Sequence, residues 1–342
     1  MKILNVGIIG YGLSGRIFHG AVIRKTSGYL IKKIVTTNEE KKREAVADIK
    51  DVEVVDSASA VFEDPTIDVV VISTPNTTHF DLARQALQSG KHVVIEKPFT
   101  VDVKEAAELI SISEKMGLLL SVYHNRRFDS DFRTVKKLIE KNAFGRLVEF
   151  ESHFDRFRPE IKLNAWKEEA LPGSGILFDL GSHLIDQALS LFGLPNEVYA
   201  DFTNQRGGSV EDQFEVILYY DSLKVTLKSG SLVHASLPRF LLLGTEGSFI
   251  KYGLDVQEPE LRSGNQEPWG IEPESQWGVY RTIGHEEIVK SEVGDYRLFY
   301  DNIHRAVTSS EELIVKGVDG YNVIKIIEAA KKSNLEKRRI AF

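Results

Sequence analysis

The chain of 342 residues has no cysteine, two methionines and three tryptophans. It also lacks any apolar run near the ~18 residues that a membrane span requires. Without cysteine there is no disulfide, no thiolate nucleophile and no cysteine-bound zinc. That composition suits a reducing compartment, and the cytoplasm is the expected location. Lys2 is followed at once by a strand pattern that runs into a glycine motif, so no signal-peptide core is expected at this end. Lysine and arginine form no block that grips phosphates, and a net charge of -7 disfavours a general nucleic-acid binder. There is no internal repeat and no low-complexity linker. A content of 42% hydrophobic and 27% charged residues excludes the disordered and fibrous classes. At roughly 150 residues per domain, the length predicts two domains.

The first has a clear signature. Leu4 to Ile9 reads as a buried strand, followed directly by Gly10-Tyr11-Gly12-Leu13-Ser14-Gly15 and a segment, Arg16 to Ile23, that can be helical. This is a G-x-G-x-x-G fingerprint between strand and helix. Gly10 makes the tight turn, Gly12 lets backbone approach a pyrophosphate, and Gly15 lets helix and strand pack closely. A second strand, Leu30 to Val35, ends in Thr36-Thr37-Asn38, where NAD-binding units usually carry an acid for the ribose 2′-hydroxyl. Hydroxyl and amide side chains there, with Lys41, Lys42 and Arg43 close behind, suit a 2′-phosphate. NADP is therefore the expected cofactor, with NAD as the alternative. Two plainer readings stand beside it: the charged stretch is a solvated helix face, or Glu39 is the ribose acid.

Further strands are predicted at Val52 to Val55, Asp68 to Thr74, Val93 to Ile95 and Leu118 to Val122, alternating with helices. That alternation predicts a doubly wound parallel sheet. Its carboxyl edge, where open α/β sheets bind ligands, receives Ser73-Thr74-Pro75-Asn76, with His79 in the next turn, and Glu96-Lys97-Pro98. Asn76 could line the cofactor or cap the following helix, the commoner role. His79 could face the cofactor or solvent. Lys97, at the end of a fully apolar strand, marks the candidate catalytic centre.

Beyond residue 125 the character changes. A connecting helix, Ser130 to Lys141, precedes strands without alternating helices: Leu147 to Phe154, Glu197 to Phe202, Phe214 to Tyr220, Leu223 to Ser229 and Phe240 to Leu243. The expected organisation is a Rossmann domain over 1–125 and an α+β domain over 126–342, built on a largely antiparallel sheet with one open face. Among these strands lies Asp179-Leu180-Gly181-Ser182-His183-Leu184-Ile185-Asp186, whose spacing predicts Asp179, His183 and Asp186 on one helix face. The upstream Gly173-Ser174-Gly175 would let substrate or backbone come close. An aspartate beside an imidazole suits acid–base work, because the imidazole titrates near neutrality. The same pair could be half a metal site, but no third ligand stands at credible spacing, so no metal is expected.

Three motifs in this order, Gly10 to Gly15, Glu96-Lys97-Pro98 and the D-x-G-x-H-x-x-D run from Asp179 to Asp186, resemble the Gfo/Idh/MocA family of sugar and polyol oxidoreductases. Gly253-Leu254-Asp255-Val256-Gln257-Glu258 with Gln276-Trp277-Gly278 is similar to the branch that holds NADP-dependent scyllo-inositol dehydrogenases. The resemblance implies a catalytic group of Lys97, Asp179 and His183. It also implies that Glu96 and Lys97 touch the cofactor ribose, that Lys97-Pro98 is cis, and that Tyr123 to Arg126 (with Asn125) and Trp166 lie by nicotinamide and substrate. The expected substrate is an inositol-like polyol or a sugar, and the expected assembly a homo-oligomer, dimer or tetramer, formed through the second-domain sheet. Two other functions occur on this fold: a redox-neutral glycosidase with bound NAD, and a dinucleotide-sensing corepressor. A sensor has no need of the base His183.

Overall fold

The computed structural model describes residues 2–162, 165–264 and 269–342. By contacts the chain forms two compact units. The first is Met1–Asn125 with Glu258–Gln266 and Tyr296–Tyr321; the second is Arg126–Gln257 with Glu267–Asp295 and Asn322–Phe342.

The first unit holds a parallel sheet of β1 (Leu4–Ile9), β2 (Tyr29–Val35), β3 (Glu53–Val55), β4 (Val69–Ile72), β5 (His92–Ile95) and β6 (Leu120–Val122), in the order β3-β2-β1-β4-β5-β6. The central strands are continuous β-branched and aliphatic runs because both their faces are covered; Val69, Val70, Val71 and Ile72 are fully buried. The order reverses between β1 and β4, which puts a crevice at the carboxyl ends of those strands. Helix Val103–Met116 starts on Asp102, which accepts a hydrogen bond from the Glu105 N–H, and ends on Gly117 in the left-handed region. The glycine loop departs from the expected α-helix: Ser14–Gly20 is a π-helical turn, continued by the α-helical Ala21–Arg24. Such turns recur at functional sites because the widened coil re-aims side chains.

Contacts give the first unit more chain than its contiguous 1–125 stretch. In the returning segment, Tyr300 accepts at its carbonyl from the Tyr29 hydroxyl at 2.7 Å, and the Phe299 ring meets Tyr123 edge-on with centroids 4.9 Å apart. Gly320 lies so close to β6 that a Cβ there would come within 2.6 Å of Val122.

The second unit is built on nine strands in the order β14-β13-β12-β11-β7-β10-β9-β8-β15. These are β7 (Leu147–His153), β8 (Glu197–Thr203), β9 (Gln213–Tyr219), β10 (Lys224–Gly230), β11 (Phe240–Gly244), β12 (Ser248–Lys251), β13 (Gly278–Thr282), β14 (His285–Val289) and β15 (Ile340–Ala341). Only the β7–β10 pair is parallel. The hairpin β9–β10 closes with Tyr220 N–H donating to Leu223 O at 3.0 Å. Alternation sets the two faces of β9: Phe214, Val216 and Leu218 are buried, while Glu215, Ile217 and Tyr219 stay half-buried. Helix Ser182–Phe192 covers the buried face, where its Phe192 ring meets Phe150 with centroids 5.2 Å apart. No described helix is long and apolar enough to cross a membrane.

Candidate active site

The glycine loop has the shape its pattern requires. Gly10 has φ +93°, and a Cβ on it would lie 2.5 Å from Ser73 O, so neither the backbone conformation nor the space admits a side chain. A Cβ on Gly15 would lie 2.0 Å from Gly10 O, the close approach of helix start to strand end. A Cβ on Gly12, by contrast, meets nothing within 4 Å. The loop therefore has one bare backbone edge facing open space, the feature a pyrophosphate needs. The backbone edge at Gly12 would hold the pyrophosphate, and the end of β2 the adenosine ribose, while Gly10 N–H is already spent on Val35 O at 3.0 Å. Tyr11 turns its side chain inward: its hydroxyl donates to Asp48 Oδ2 at 3.1 Å, and burial with the Asp48 charge pushes its pKa up. Leu13 is half exposed.

At the end of β2, Thr36 N–H donates to Val55 O, Thr37 is exposed, and Asn38 caps helix Glu39–Asp48 by accepting from Lys41 N–H at 3.0 Å. The cations behind them are largely committed. Lys41 pairs with Glu44 at 2.7 Å, and Lys42 with Glu39 and Asp56 at 2.8 and 2.7 Å; Arg43 is exposed. Lys42 and Glu39 thus offset one another at the point where the sequence offered either a cation or a ribose acid.

After β4, Ser73 N–H donates to Ile9 O at 2.8 Å, tying this loop to β1. Thr74 and Thr78 share a hydroxyl–hydroxyl bond of 2.7 Å, and Pro75 O accepts from the Thr78 hydroxyl at 2.8 Å. Asn76 is buried and opens a 3-10 turn, Asn76–Thr78; it does not cap helix His79–Gln88, whose N-cap is Thr78. Of the two readings offered for His79, burial excludes the solvent-facing one. It is 1% exposed, with Nδ1 2.9 Å from Pro98 O and Nε2 3.0 Å from Thr74 O. Burial pushes its pKa down, and the ring bridges the loops after β4 and β5.

After β5, the Lys97-Pro98 bond is cis and Lys97 is half-buried. Glu96 does not spend its carboxylate on open space. Oε1 accepts from the Ser14 hydroxyl and lies 3.2 Å from His19 Nε2, and Oε2 accepts from Lys97 N–H at 2.9 Å. Burial raises the Glu96 pKa, but the hydrogen bond from His19, the Lys97 charge and the Ser14 bond outweigh it and hold it at about 2. Nothing in the residue pattern singled out His19; the signal available was a histidine in the apolar turn after the fingerprint. After β6, Asn125 is buried and opens the 3-10 turn Asn125–Phe128.

The second unit carries the other candidates. Leu177–Gly181 is a π-helical turn that runs into helix Ser182–Phe192, replacing the regular α-helix expected through Asp179. Two of the residues expected on one polar face are buried: His183 is 5% and Asp186 2% exposed. Asp179 accepts from Lys167 Nζ at 2.7 Å and lies 3.7 Å from Arg156. Trp166 heads the 3-10 turn Trp166–Glu168, and Lys167 Nζ stands 5.6 Å from its ring centroid.

One turn past His183, the helix is bolted in place. Arg127 binds Asp186 through both carboxylate oxygens at 2.9 and 2.6 Å, and Gln187 donates to Arg126 O at 2.8 Å while accepting from Arg239 at 2.8 Å. Arg239 in turn binds Asp131 at 3.1 Å. The Gly253 to Glu258 motif serves the same segment: Asp255 accepts from Ser130 N–H and hydroxyl at 2.7 and 2.8 Å, and Gln257 donates to Phe128 O at 3.1 Å. Burial and the nearby Asp131 push the Asp255 pKa up to about 6. Among the described residues no group of three or more His, Asp or Glu could hold a metal ion.

Residues 4–124 match the family model described as an oxidoreductase family's NAD-binding Rossmann fold, and residues 136–342 match that family's C-terminal alpha/beta domain. The chain is 40% identical over 345 residues to IolW of Bacillus subtilis strain 168, a scyllo-inositol 2-dehydrogenase (NADP(+)), covering 98% of this chain and 95% of that protein. It is 41% identical over 338 residues to YdgJ of Escherichia coli strain K12, an uncharacterized oxidoreductase, covering 96% of each. The solved structure of yvaA from Bacillus subtilis matches with a TM-score of 0.96 at 40% identity, covering 100% of this chain and 99% of that one.

Two measurements test the loop and its neighbour. Gly15→Ala is expected to lose dinucleotide binding and thermal stability together, whereas Gly12→Ala should melt like the parent yet bind dinucleotide at least tenfold more weakly; equal melting of both variants contradicts the packing described. Glu96 has a depressed folded-state pKa, so its stabilisation is complete above the ordinary value of 4.5 and is lost as pH falls toward about 2. The gap in melting temperature between parent and Glu96→Gln should therefore be constant above pH 5 and shrink on acidification.

Proposed function

The chain belongs to the Gfo/Idh/MocA oxidoreductase family, and on that premise we propose that it is a dehydrogenase interconverting a secondary alcohol and a ketone on an inositol-like polyol or a sugar, with NADP preferred over NAD. The observation that carries this reading is the glycine loop, whose one open backbone edge at Gly12 leaves room for a pyrophosphate, beside a lysine delivered from β5 to the same sheet edge. The NADP preference is supported by the absence of a carboxylate from Thr36-Thr37-Asn38 and by the likeness to IolW. The pairing of Lys41 and Lys42 with acids leaves Arg43 and the Thr37 hydroxyl as the groups for a 2′-phosphate.

In this proposal Lys97 of the first unit and Asp179 and His183 of the second serve one reaction. When bound, the nicotinamide accepts or donates the hydride. Lys97 Nζ donates a hydrogen bond to the reacting oxygen, favouring alkoxide character during oxidation and polarising the carbonyl during reduction. An imidazole nitrogen of His183 takes the hydroxyl proton, and the negative charge of Asp179 stabilises the resulting imidazolium. Buried surroundings hold His183 in place and limit competing water. The half-buried alternate face of the nine-stranded sheet, with Ile217 and Tyr219, is the surface proposed for homo-oligomer formation.

The decisive experiment is a panel of inositols, other polyols and sugars assayed at 340 nm with NADP and NAD in parallel. A turnover faster with NADP on a polyol is expected; free sugar released from a glycoside at constant absorbance replaces the dehydrogenase reading with the redox-neutral one. Lys97→Ala and His183→Ala should each cut turnover by roughly a hundredfold or more while dinucleotide binding persists. Near-normal turnover in either variant removes that residue from the reaction.

A further inference from the structure

We propose that His19 is a positioning residue that holds the Glu96 carboxylate as a strut between the phosphate loop and the backbone of Lys97. The proposal rests on the dinucleotide-binding reading above. Its geometry lies wholly within the first unit. Glu96 receives three donors from three places in the chain: the Ser14 hydroxyl in the glycine loop, His19 Nε2 at 3.2 Å, and Lys97 N–H at 2.9 Å. An ionised carboxylate only accepts, so His19 must carry its proton on Nε2. On the other side of the ring, His19 Nδ1 stands 2.5 Å from the Tyr300 hydroxyl, and burial pushes the Tyr300 pKa well above its ordinary value, so the phenol keeps its proton to donate. His19 is fully buried and lies against the Tyr123 ring with centroids 4.2 Å apart. The chain Tyr300–His19–Glu96 thus fixes the tautomer, the ring and the carboxylate in turn.

The consequence is a link between two functions. Ser14 belongs to the loop that cradles phosphate, and Lys97 to the residue pair after β5; both are joined to one carboxylate. Remove the His19 donor, and a buried carboxylate loses one of its three bonds, which loosens its hold on Ser14 and Lys97 together. The charged or titratable groups acting on Glu96 are His19, Lys97, Tyr300 and His79.

The test compares His19→Phe, His19→Gln and Tyr300→Phe with the parent, using NADPH and NADH fluorescence titration from pH 5 to 8 and acid-dependent melting without ligand. His19→Phe is expected to weaken dinucleotide binding about tenfold, to make that affinity fall at the acid end where the parent stays level, and to begin its acid destabilisation at higher pH than the parent. His19→Gln, which keeps a donor toward Glu96, should recover affinity to within about threefold of the parent, and Tyr300→Phe should show a smaller loss than His19→Phe. If His19→Phe does not fold, the Gln and Tyr300→Phe variants carry the comparison. A His19→Gln variant as impaired as His19→Phe, or parent-like affinity and acid melting in His19→Phe, overturns the strut. In a parent that binds neither dinucleotide, the function reading fails while the melting comparison still decides the strut.

Discussion

A parallel sheet points every strand the same way, so everything that follows β1, β4, β5 and β6 is delivered to one edge. That constraint explains why residues as distant in sequence as Gly12, Thr74 and Lys97 come to the same edge of the sheet without a dedicated scaffold. It also explains why the loops need internal ties. Ser73 is bonded to β1, His79 bridges the loops after β4 and β5, and Glu96 gathers Ser14 and Lys97. A loop at a ligand-binding edge must be open to the ligand and yet hold its shape. Here the shape is held from behind, by buried polar side chains.

The second unit meets the same demand differently. Its candidate base sits on a helix whose neighbouring turn is held by charge-assisted bonds from Arg127 and by the relay from Arg126 through Gln187 to Arg239 and Asp131. Buried charges of this kind stabilise weakly compared with well-packed apolar groups, because desolvation offsets much of their attraction. Their geometric demand is strict, however, since breaking one partner leaves the other unsatisfied. The helix is thereby held in one rotation about its axis.

Much of the first unit was legible because its strands are apolar runs bounded by glycine, and the fingerprint lies between a strand and a helical turn. The interior partners were not legible. Tyr300 is 281 positions from His19 and 271 from Tyr29, and only the fold makes it their neighbour. In the second unit the strands β7 to β11 were readable from alternation. β12 is only four residues long, and β13 and β14 carry Arg281, Glu286 and Glu287, so their pattern resembles a charged loop. The Asp179 helix was found with Asp179, His183 and Asp186 on one face, but spacing reports which residues share a face and not what covers it. The Gly253 to Glu258 motif, read as a mark of a branch, contains Asp255 and Gln257, which brace the segment from Phe128 to Ser130.

The return of Tyr296–Tyr321 to the first unit bears on how the protein is made. A ribosome extrudes the chain from its amino end, so the six strands of the first sheet emerge long before the aromatic residues that complete their packing. Until Tyr300 and Gly320 arrive, Tyr29, Tyr123 and His19 present an unsealed aromatic surface, and His19 lacks its Tyr300 partner. The first sheet, synthesised ahead of the segment that seals it, therefore reaches its finished form only after most of the second unit has been made.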